Sequence, residues 1–568
     1  MSTLLRYAAG FCDPAEAFLT HLRPTDAGGM EEQSFTRGEF WDLARKAAAV
    51  IAGNGLRPED RFVLAMGGNQ VGDLAFRLGA VMTGTVPVTT NWQADPIERV
   101  LYKIELTDCK LVLTDNLVDP KCVEAITARF PALPRFALGR LTGQSPLDEG
   151  GFVRELDAEA TRLIIFTSGT TGQPKGVLLP YRSYDTNAAT FESYLETKEA
   201  RLANFIVNPM HHSNSSSLTD WSMRRHGTHL ILLERYSTTY WRLLVETVEK
   251  GFDQMVAPLV ARHFDFLESL IVSGQLPVER ERLEAAMEKV DFLIGSAPVG
   301  PTTVKRLVSL SKRIPLVRFG STETCLQVLG VPRSISEASK RASFQRGWAH
   351  VYGATAQSGF YIGRPHPPHT EARIVRSCEP DSAEYLVGCD EGEPGLLMTR
   401  GDNVMTGYVN DEAGTEAVFH NGWYSGLGDV CFFLMNPEDG ERDFYWVSRE
   451  SALMIRGGAN YAYDQISDEL AKFAAERFGL AESEFELAVV GLRENSEHED
   501  ECCVTIDLVS DRARATQNEM VRCFLDEARA RVSKGSRPDH LRFDKIPTNF
   551  KGAVLVPELK RAYKAALN

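Results

Sequence analysis

One segment constrains this chain more than any other: residues 163–181, LIIFTSGTTGQPKGVLLPY. Two apolar runs predict strands, and a loop rich in glycine and hydroxyl residues joins them. Such a loop suits a polyphosphate, because glycines allow close backbone approach, hydroxyls donate hydrogen bonds and Lys175 adds positive charge. It is not a Walker A loop, since Gly176 follows Lys175. A plain surface turn is the alternative. The predicted phosphate-binding residues are Thr167, Ser168, Gly169, Thr170, Thr171, Gly172 and Lys175.

The rest of the chain alternates short apolar runs with amphipathic stretches. Residues 37–54 predict a helix, 61–67 a strand, 72–84 a helix and 110–115 a strand. This rhythm is typical of α/β folds, in which helices cover mostly parallel sheets. Since 568 residues exceed what one core supports, we expect at least two domains. We place a large layered α/β domain at 1–447 and a small, mobile α+β domain at 448–568.

Charge and cysteine content exclude several classes of protein. The formal net charge is −15, so the whole-molecule field would repel nucleic acid and anionic membranes. The ten cysteines are scattered without metal or redox spacing, which favours reduced thiols. No apolar run is long enough to span a membrane, and the start lacks a secretory signal. We therefore expect a cytoplasmic protein with no membrane span and no nucleic-acid partner.

Several further segments fall in a recognisable order. They are GAVMTGTVPVTTNWQ at 79–93, VNPMHHSN at 207–214, GSAPVG at 295–300, RFGSTET at 318–324, RGDNVMTGYVND at 400–411, GWYSGLGDV at 422–430 and SRESALMIRGGANYAYDQIS at 448–467. Together with FTSGTTGQPKG, this series resembles the adenylate-forming superfamily of acyl-CoA synthetases, luciferases and peptide-synthetase adenylation domains. The chain is most similar to the acyl-CoA synthetases, and the resemblance covers residues 35–565.

The resemblance implies a nucleotide site built from two central segments. Phe319 would stack on adenine, Thr322 would contact the α-phosphate and Glu323 would hold magnesium. Taken alone, a glutamate after Gly-Ser-Thr is more often a helix-capping carboxylate. The nucleotide-binding residues implied in these segments are Gly295, Ser296, Ala297, Pro298, Phe319, Gly320, Ser321 and Thr322.

A third segment is implied to hold the ribose. Asp429 matches the aspartate that accepts both ribose hydroxyls, and Arg449 matches the arginine that supports it. The family usually reads WxxTGD, whereas here one extra residue separates Trp423 from Asp429. His212 resembles the residue beside the substrate carboxylate, and the doublet with His211 does not have metal-site spacing.

The C-terminal segments depart most from the family. Lys551 resembles the lysine that reaches the carboxylate and α-phosphate during adenylation, and Lys560 is the alternative. Gly457 and Gly458 resemble the lining of the thiol tunnel. The usual hinge acid is absent, because Ser451 and Ala452 follow Arg449 and Glu450.

The resemblance implies an AMP-forming acid–thiol ligase that uses ATP, Mg²⁺ and coenzyme A. Lys175, Thr322, Glu323 and Lys551 would act on the phosphates. The expected substrate is a small apolar or aromatic carboxylic acid, with fatty acid metabolism as the context. Two alternatives stay open: an acyl-AMP ligase that delivers to a carrier-protein thiol or another nucleophile, and a nucleotide-binding pseudoenzyme.

Overall fold

A computed structural model describes residues 3–25, 29–93, 95–167, 174–197, 200–296, 299–352, 355–356, 358–449, 453–456, 459–492, 500–548 and 553–567. The helices in these ranges are α1 Thr3–Gly10, α2 Arg37–Gly53, α3 Val71–Thr83, α4 Ile97–Leu106, α5 Pro120–Arg129, α6 Tyr181–Leu195, α7 Ser213–Arg224, α8 Tyr240–Glu249, α9 Ala261–Val272, α10 Arg280–Met287, α11 Pro301–Ser311, α12 Glu337–Trp348, α13 Glu412–Glu416, α14 Tyr463–Phe478, α15 Asp511–Arg531 and α16 Val556–Leu567.

The strands in the same ranges are β1 Ala17–Pro24, β2 Met30–Thr36, β3 Arg61–Ala65, β4 Val86–Thr89, β5 Leu111–Thr114, β6 Arg135–Ala137, β7 Thr161–Phe166, β8 Gly176–Pro180, β9 Leu202–Ile206, β10 Thr228–Leu233, β11 Gln254–Leu259, β12 Val290–Ile294, β13 Leu316–Phe319, β14 Leu329–Gly330, β15 Val351–Tyr352, β16 Thr355–Ala356, β17 Phe360–Pro365, β18 Thr370–Val375, β19 Gly395–Gly401, β20 Gly407–Tyr408, β21 Phe419–His420, β22 Trp423–Tyr424, β23 Asp429–Met435, β24 Arg442–Arg449, β25 Leu453–Arg456, β26 Ala459–Ala462, β27 Phe485–Leu492, β28 Glu501–Leu508 and β29 His540–Phe543.

Local sequence signals set the element boundaries. Helix α2 begins with a capping box: Glu39 N–H donates to Thr36 Oγ1 at 3.2 Å, and Thr36 N–H donates to Glu39 Oε2 at 2.8 Å. Helix α3 ends at Gly84, which adopts the left-handed conformation with φ 69°. The predicted helices at 37–54 and 72–84 therefore lie within a residue of α2 and α3.

Two large sheets lie within residues 17–449, besides the short β15–β16 pair. One has the order β20-β8-β7-β4-β3-β5-β6, and its strands β3 to β7 run parallel. The other is larger; it runs parallel through β1, β10, β9, β11, β12 and β13, and antiparallel strands extend it from β14 onward. The predicted mostly parallel character thus holds for the centres of the sheets, whereas hairpins, which connect antiparallel strands, extend both sheets.

The chain crosses from the larger sheet to the smaller one between β19 and β20. Just before β20, Met405 N–H donates to Glu323 C=O at 2.7 Å, and Thr406 N–H donates to Leu178 C=O at 3.1 Å. Just after it, Val409 N–H donates to Gly176 C=O at 2.8 Å. Residues 401–411, which we call the crossover segment, therefore touch both the predicted phosphate loop and the turn that carries Glu323.

The C-terminal residues build a separate small sheet. Strand β28 lies between antiparallel β27 and parallel β29, and helices α14, α15 and α16 pack near them. The hydrophobic cluster of this part is drawn from residues 454–563, with Leu470, Val504 and Phe524 fully buried. The boundary predicted at 447 and 448 remains a prediction.

Candidate nucleotide and acyl site

The predicted phosphate loop lies at the tip of the β7–β8 hairpin. The two strands pair antiparallel, and Thr167 N–H donates to Lys175 C=O at 3.0 Å where the loop leaves the sheet. Thr167 and Lys175 are thereby placed side by side at the base of the loop. The assignments of Ser168, Gly169, Thr170, Thr171 and Gly172 fall outside the described residues and stay predictions.

Lys175 is held by two residues of the crossover segment. Its Nζ lies 2.8 Å from a carboxylate oxygen of Asp411 and 4.7 Å from the ring centroid of Tyr408. The side chains of Lys175 and Asp411 remain 41% and 36% exposed. The hydrogen bond from Lys175 lowers the pKa of Asp411 below its usual value. The ammonium is therefore positioned but still accessible to a phosphate.

Tyr408 connects the lysine to the predicted magnesium ligand. Its ring packs against Lys175, and its hydroxyl donates to Glu323 Oε1 at 3.3 Å. Burial, followed by the neighbouring Glu323 charge, raises the pKa of Tyr408, so the hydroxyl stays a proton donor at neutral pH. Lys175, Tyr408 and Glu323 thus form one connected chain of contacts, although about 150 residues separate Glu323 from Lys175 in the sequence.

Thr322 and Glu323 sit on a tight turn between β13 and β14. Thr324 Oγ1 accepts from Ser321 N–H at 2.8 Å, and Asn403 Nδ2 donates to Thr324 C=O at 3.1 Å. Gly320 lies so close to the far side of the turn that an added Cβ would be 1.6 Å from Leu326 C=O. Only glycine fits there, so the turn fixes the direction of Thr322 and Glu323.

The two predicted adenine segments lie side by side. Gly295 follows β12, and a Cβ at Gly295 would lie 2.9 Å from Arg318 C=O on β13. Ser296 adopts a positive φ of 68°, which turns the chain away from the strand. Phe319 is half-buried and packs against a hydrophobic cluster to which the crossover segment contributes. Ala297 and Pro298 lie outside the described residues.

The backbones of Asp429 and Arg449 face each other across two antiparallel strands. The two Cα positions are directly opposite each other in the β23–β24 register. Asp429 is 2% exposed, and Trp446 donates its indole N–H to Oδ1 at 2.8 Å. Gly428 has φ 60° and donates to Ser425 C=O at 3.3 Å, so the extra residue before Asp429 is accommodated in a turn.

The histidine doublet lies where α7 begins. His212 is the residue that precedes the first turn of α7, and its ring centroid is 4.4 Å from that of His211. His211 is buried and packs edge-on against Trp92 at 5.8 Å. A small cavity of about 10 Å³, with room for about one water molecule, lies beside it, lined by Leu64, Met66, Gly68, Asn69, Asp73, Arg77, Thr89, Thr90, Trp92, Met210 and His211. Of the two rings, that of His211 lines this cavity.

Most C-terminal assignments cannot be placed. Lys551, Gly457, Gly458, Ser451 and Ala452 lie outside the described residues. The alternative lysine, Lys560, lies on α16, with its Nζ 5.7 Å above the ring of Tyr463 on α14. Lys560 therefore has a packing contact within the small C-terminal unit.

In the part of the chain that the structure describes, no helix is long and apolar enough to cross a membrane.

Sequence reasoning missed three residues of this site. Tyr408 and Asp411 lie in RGDNVMTGYVND, which the sequence placed in order but without a role, and Trp446 lies in an unassigned strand. The available signal was the segment's position in the series. Tyr408 and Asp411 reach Lys175 from more than 200 positions away in the sequence, whereas Trp446 reaches Asp429 from 17 positions away.

The chain is similar to known CoA ligases. The family model described as "AMP-binding enzyme" matches residues 13–409. The chain is 24% identical over 435 residues to 2-succinylbenzoate–CoA ligase of Bacillus subtilis, with 76% of each protein covered. It is 24% identical over 460 residues to indoleacetate–CoA ligase of Aromatoleum aromaticum, with 78% of each covered.

Solved structures show the same fold. The o-succinylbenzoate CoA synthetase of Bacillus subtilis, in complex with its acyl-adenylate intermediate, superposes with a TM-score of 0.73 at 20% identity and 98% coverage of both chains. ATP-bound MatB of Rhodopseudomonas palustris gives a TM-score of 0.73 at 19% identity, with both chains fully covered. The predicted α/β fold class with an added C-terminal unit is thereby confirmed.

Proposed function

Because the chain belongs to the AMP-binding enzyme family, we propose that it is an ATP-dependent acyl-CoA ligase that activates a carboxylic acid as its acyl-adenylate. The observation that carries the proposal is the continuous contact from Lys175 through Tyr408 to Glu323. It joins a cation suited to phosphate and a carboxylate suited to a metal ion on one side of the β13–β14 turn. The resemblance drawn from the sequence is confirmed by the family match.

The reaction has two steps, each with its own leaving group. In the first, a carboxylate oxygen attacks the α-phosphorus of ATP and pyrophosphate leaves. In the second, the thiolate of coenzyme A attacks the acyl carbon and AMP leaves. Catalysis of the first step depends mainly on positioning and on neutralising charge.

The residues of the large sheets serve the first step. When ATP binds, Lys175 leaves Asp411 and contacts the β- and γ-phosphates. The hydrogen-bond donors of the loop contact the same phosphates. Thr322 contacts the α-phosphate at the end of the rigid turn. Asp429, with Arg449, accepts the ribose hydroxyls, and Phe319 with the 295–298 segment encloses the adenine.

The residues around Glu323 fit a magnesium ion. A carboxylate oxygen and a threonine hydroxyl are hard donors of the kind that Mg²⁺ prefers beside substrate phosphates. When bound, the ion neutralises charge on the phosphates. Tyr408 orients the Glu323 carboxylate for that role by donating to Oε1.

Residues near the C-terminus serve both steps: Lys551 acts in adenylation, and Gly457 and Gly458 act in the transfer to the thiol. We assign residues 448–568 to a small domain that rotates between the half-reactions, with Lys551 at the α-phosphate and Gly457 and Gly458 lining the thiol path. This assignment rests on the resemblance alone. A cytoplasmic location and a role in fatty acid metabolism likewise stay predictions.

The test measures ATP–pyrophosphate exchange across a panel of carboxylic acids, followed by AMP release with and without coenzyme A. Acid-dependent exchange with coenzyme A-stimulated AMP release is expected. Exchange without stimulation would favour an acyl-AMP ligase with another acceptor. ATP binding without exchange for any acid would favour the pseudoenzyme.

A further inference from the structure

Helix α3 carries a buried ion pair within an otherwise apolar sequence. Asp73 and Arg77 are each 3% exposed, and Arg77 Nε lies 2.6 Å from Asp73 Oδ1, one helical turn earlier. The other residues of α3 are apolar or small, and nearly all of them are buried. A buried ion pair is weak evidence of stabilisation, because apolar side chains of similar volume often serve a core equally well. The remaining donors of the guanidinium indicate another use.

The guanidinium of Arg77 contacts the segment that carries the histidine doublet, His211 and His212. Its Nη2 donates to Met210 C=O at 3.0 Å, and its Nη1 donates to Ser216 Oγ at 3.1 Å. Met210 directly precedes the doublet. Ser216 lies in the first turn of α7, and its N–H donates to His212 C=O at 3.0 Å. One side chain therefore fixes the chain on both sides of the two histidines.

Asn69 holds the same segment through a second set of hydrogen bonds. It is fully buried, and its Oδ1 accepts from Met210 N–H at 2.9 Å. Its Nδ2 donates to Asn208 C=O at 3.1 Å and to Leu233 C=O at 3.0 Å. Asn69 and Arg77 thus bind the N–H and the C=O of one residue, Met210. Because both lie on or next to α3, the doublet is held against that helix.

Arg77 is enclosed rather than open to a substrate. Together with His211 it lines the cavity of about 10 Å³, which has room for about one water molecule and is too small for an acid. All three nitrogens of the guanidinium already donate, to Asp73, Met210 and Ser216. Any effect of Arg77 on the reaction must therefore pass through the groups that it holds.

We propose that Arg77 is a positioning residue for the acid substrate: it fixes the chain around His211 and His212, and so places the His212 ring beside the carboxylate that attacks ATP. This inference rests on the proposed function and adds to it a residue that acts through another. A displacement of the doublet by about 1 Å would slow the reaction strongly, because attack on the α-phosphorus depends on the position of the carboxylate.

The first experiment measures pyrophosphate exchange by the full-length enzyme with the carboxylic acid that gives the fastest exchange. Arg77→Met keeps the length of the side chain but removes its donors. We expect kcat/KM for the acid to fall roughly tenfold or more, while KM for ATP changes by less than about twofold. Unchanged kinetics for the acid, or an equal effect on ATP, would overturn the inference.

Arg37→Met is the matched control for lost stability. Arg37 is fully buried and pairs with Glu16, and its Nη2 donates to the carbonyls of Arg225 and Thr228, which follow α7. Thermal unfolding shows how far each substitution destabilises the fold. Arg37→Met should destabilise it without lowering kcat/KM for the acid. An equal fall in kcat/KM in the two variants would contradict positioning by Arg77.

Ser216→Ala is a milder second variant, because it removes one acceptor of Arg77 and leaves the ion pair with Asp73 in place. It should lower kcat/KM for the acid by roughly threefold. Tyr184→Phe removes the other hydrogen bond of Ser216 Oγ, which is 2.9 Å long, without touching Arg77. This control should follow the wild type, and a larger effect of Tyr184→Phe than of Ser216→Ala would contradict the assignment.

A double-mutant cycle tests whether Arg77 acts through His212. In a His212→Ala background, Arg77→Met should lower kcat/KM for the acid by less than about twofold, because the ring to be positioned is gone. The same fall in both backgrounds would overturn the inference. If no acid supports exchange by the wild type, the proposed function fails and this inference fails with it. If the wild type exchanges and Arg77→Met matches it, this inference alone fails.

Discussion

Trp446 donates its indole N–H to Oδ1 of Asp429 over 2.8 Å, and the carboxylate is almost completely buried. We expect Trp446→Phe to lower the free energy of unfolding by about 1–3 kcal/mol, because a buried charged acceptor loses a donor. Urea unfolding measures the loss. In an Asp429→Asn background the same substitution should cost less, and an equal cost in both backgrounds would show that the indole does not act through Asp429.

The exposed pair of Lys175 and Asp411 predicts a change in nucleotide affinity. Asp411→Asn removes the anion that competes with ATP phosphates for the ammonium, and asparagine retains the cap of α13. The KM for ATP should fall by up to about fivefold, since exposed pairs contribute at most about 1 kcal/mol. Glu412→Gln, a neighbouring exposed acid, is the control; a higher KM in Asp411→Asn would contradict the competition.

The hydroxyl of Tyr408 predicts a specific effect on magnesium. Tyr408→Phe keeps the ring beside Lys175 but removes the hydrogen bond to Glu323. We expect the magnesium concentration for half-maximal exchange to rise by about fivefold, with a smaller change in the KM for ATP. The exposed Tyr352 provides the control Tyr352→Phe. If the two variants respond to magnesium alike, Tyr408 does not orient the ligand.

The close approach at Gly320 predicts a severe defect from one methyl group. Gly320→Ala would place a Cβ 1.6 Å from Leu326 C=O, so the turn carrying Thr322 and Glu323 must open. Pyrophosphate exchange should fall by about a hundredfold or more, because catalysis here depends on positioning. Gly139→Ala is the matched control, since a Cβ there meets nothing within 4 Å. Comparable activity in the two variants would show that the turn tolerates opening.

His366 predicts a pH dependence of stability. Its pKa in the folded protein is lowered from 6.5 to about 4, first by burial. The stability that comes from keeping it neutral is complete above about pH 6.5, and roughly 3 kcal/mol of it is lost as the pH falls to 4. His263 has a similarly lowered pKa of about 4, so it adds to the loss in the wild type.

Urea unfolding at intervals from pH 7.5 to 4.5 tests this directly. His366→Gln should flatten the decline, because glutamine does not titrate, while the contribution of His263 remains. The exposed His226 supplies the control His226→Gln, which should follow the wild type. An unchanged slope in His366→Gln would show that the ring is not kept neutral by the fold.

The sequence predicted local elements well where boundary signals are local. The helix expected at 37–54 is α2, because Thr36 and Glu39 form its capping box within four residues. The strands around the phosphate loop were likewise evident from two apolar runs. Glu323, by contrast, taken alone predicts a helix cap, whereas the structure places it on a turn between β13 and β14.

The contacts that connect the site were not predictable in this way. Tyr408 and Asp411 reach Lys175 only because β20 joins the edge of the smaller sheet next to β8. Arg318 did carry a signal, since it is a charged residue within the apolar run LVRFG. That no carboxylate among the described residues pairs with it, however, is a property of the packed structure, because only packing shows which groups surround it.

The crossover segment has a mechanical consequence. Its backbone is bonded on one side to the carbonyl of Glu323 and on the other to Leu178 and Gly176 beside the phosphate loop. These hydrogen bonds connect the two sheets through the crossover segment. Lys175 and Glu323 would therefore move together if one sheet shifted relative to the other. The distance between the charges of Lys175 and Glu323 is therefore set by the crossover segment, and it would stay constant while the flanking loops move.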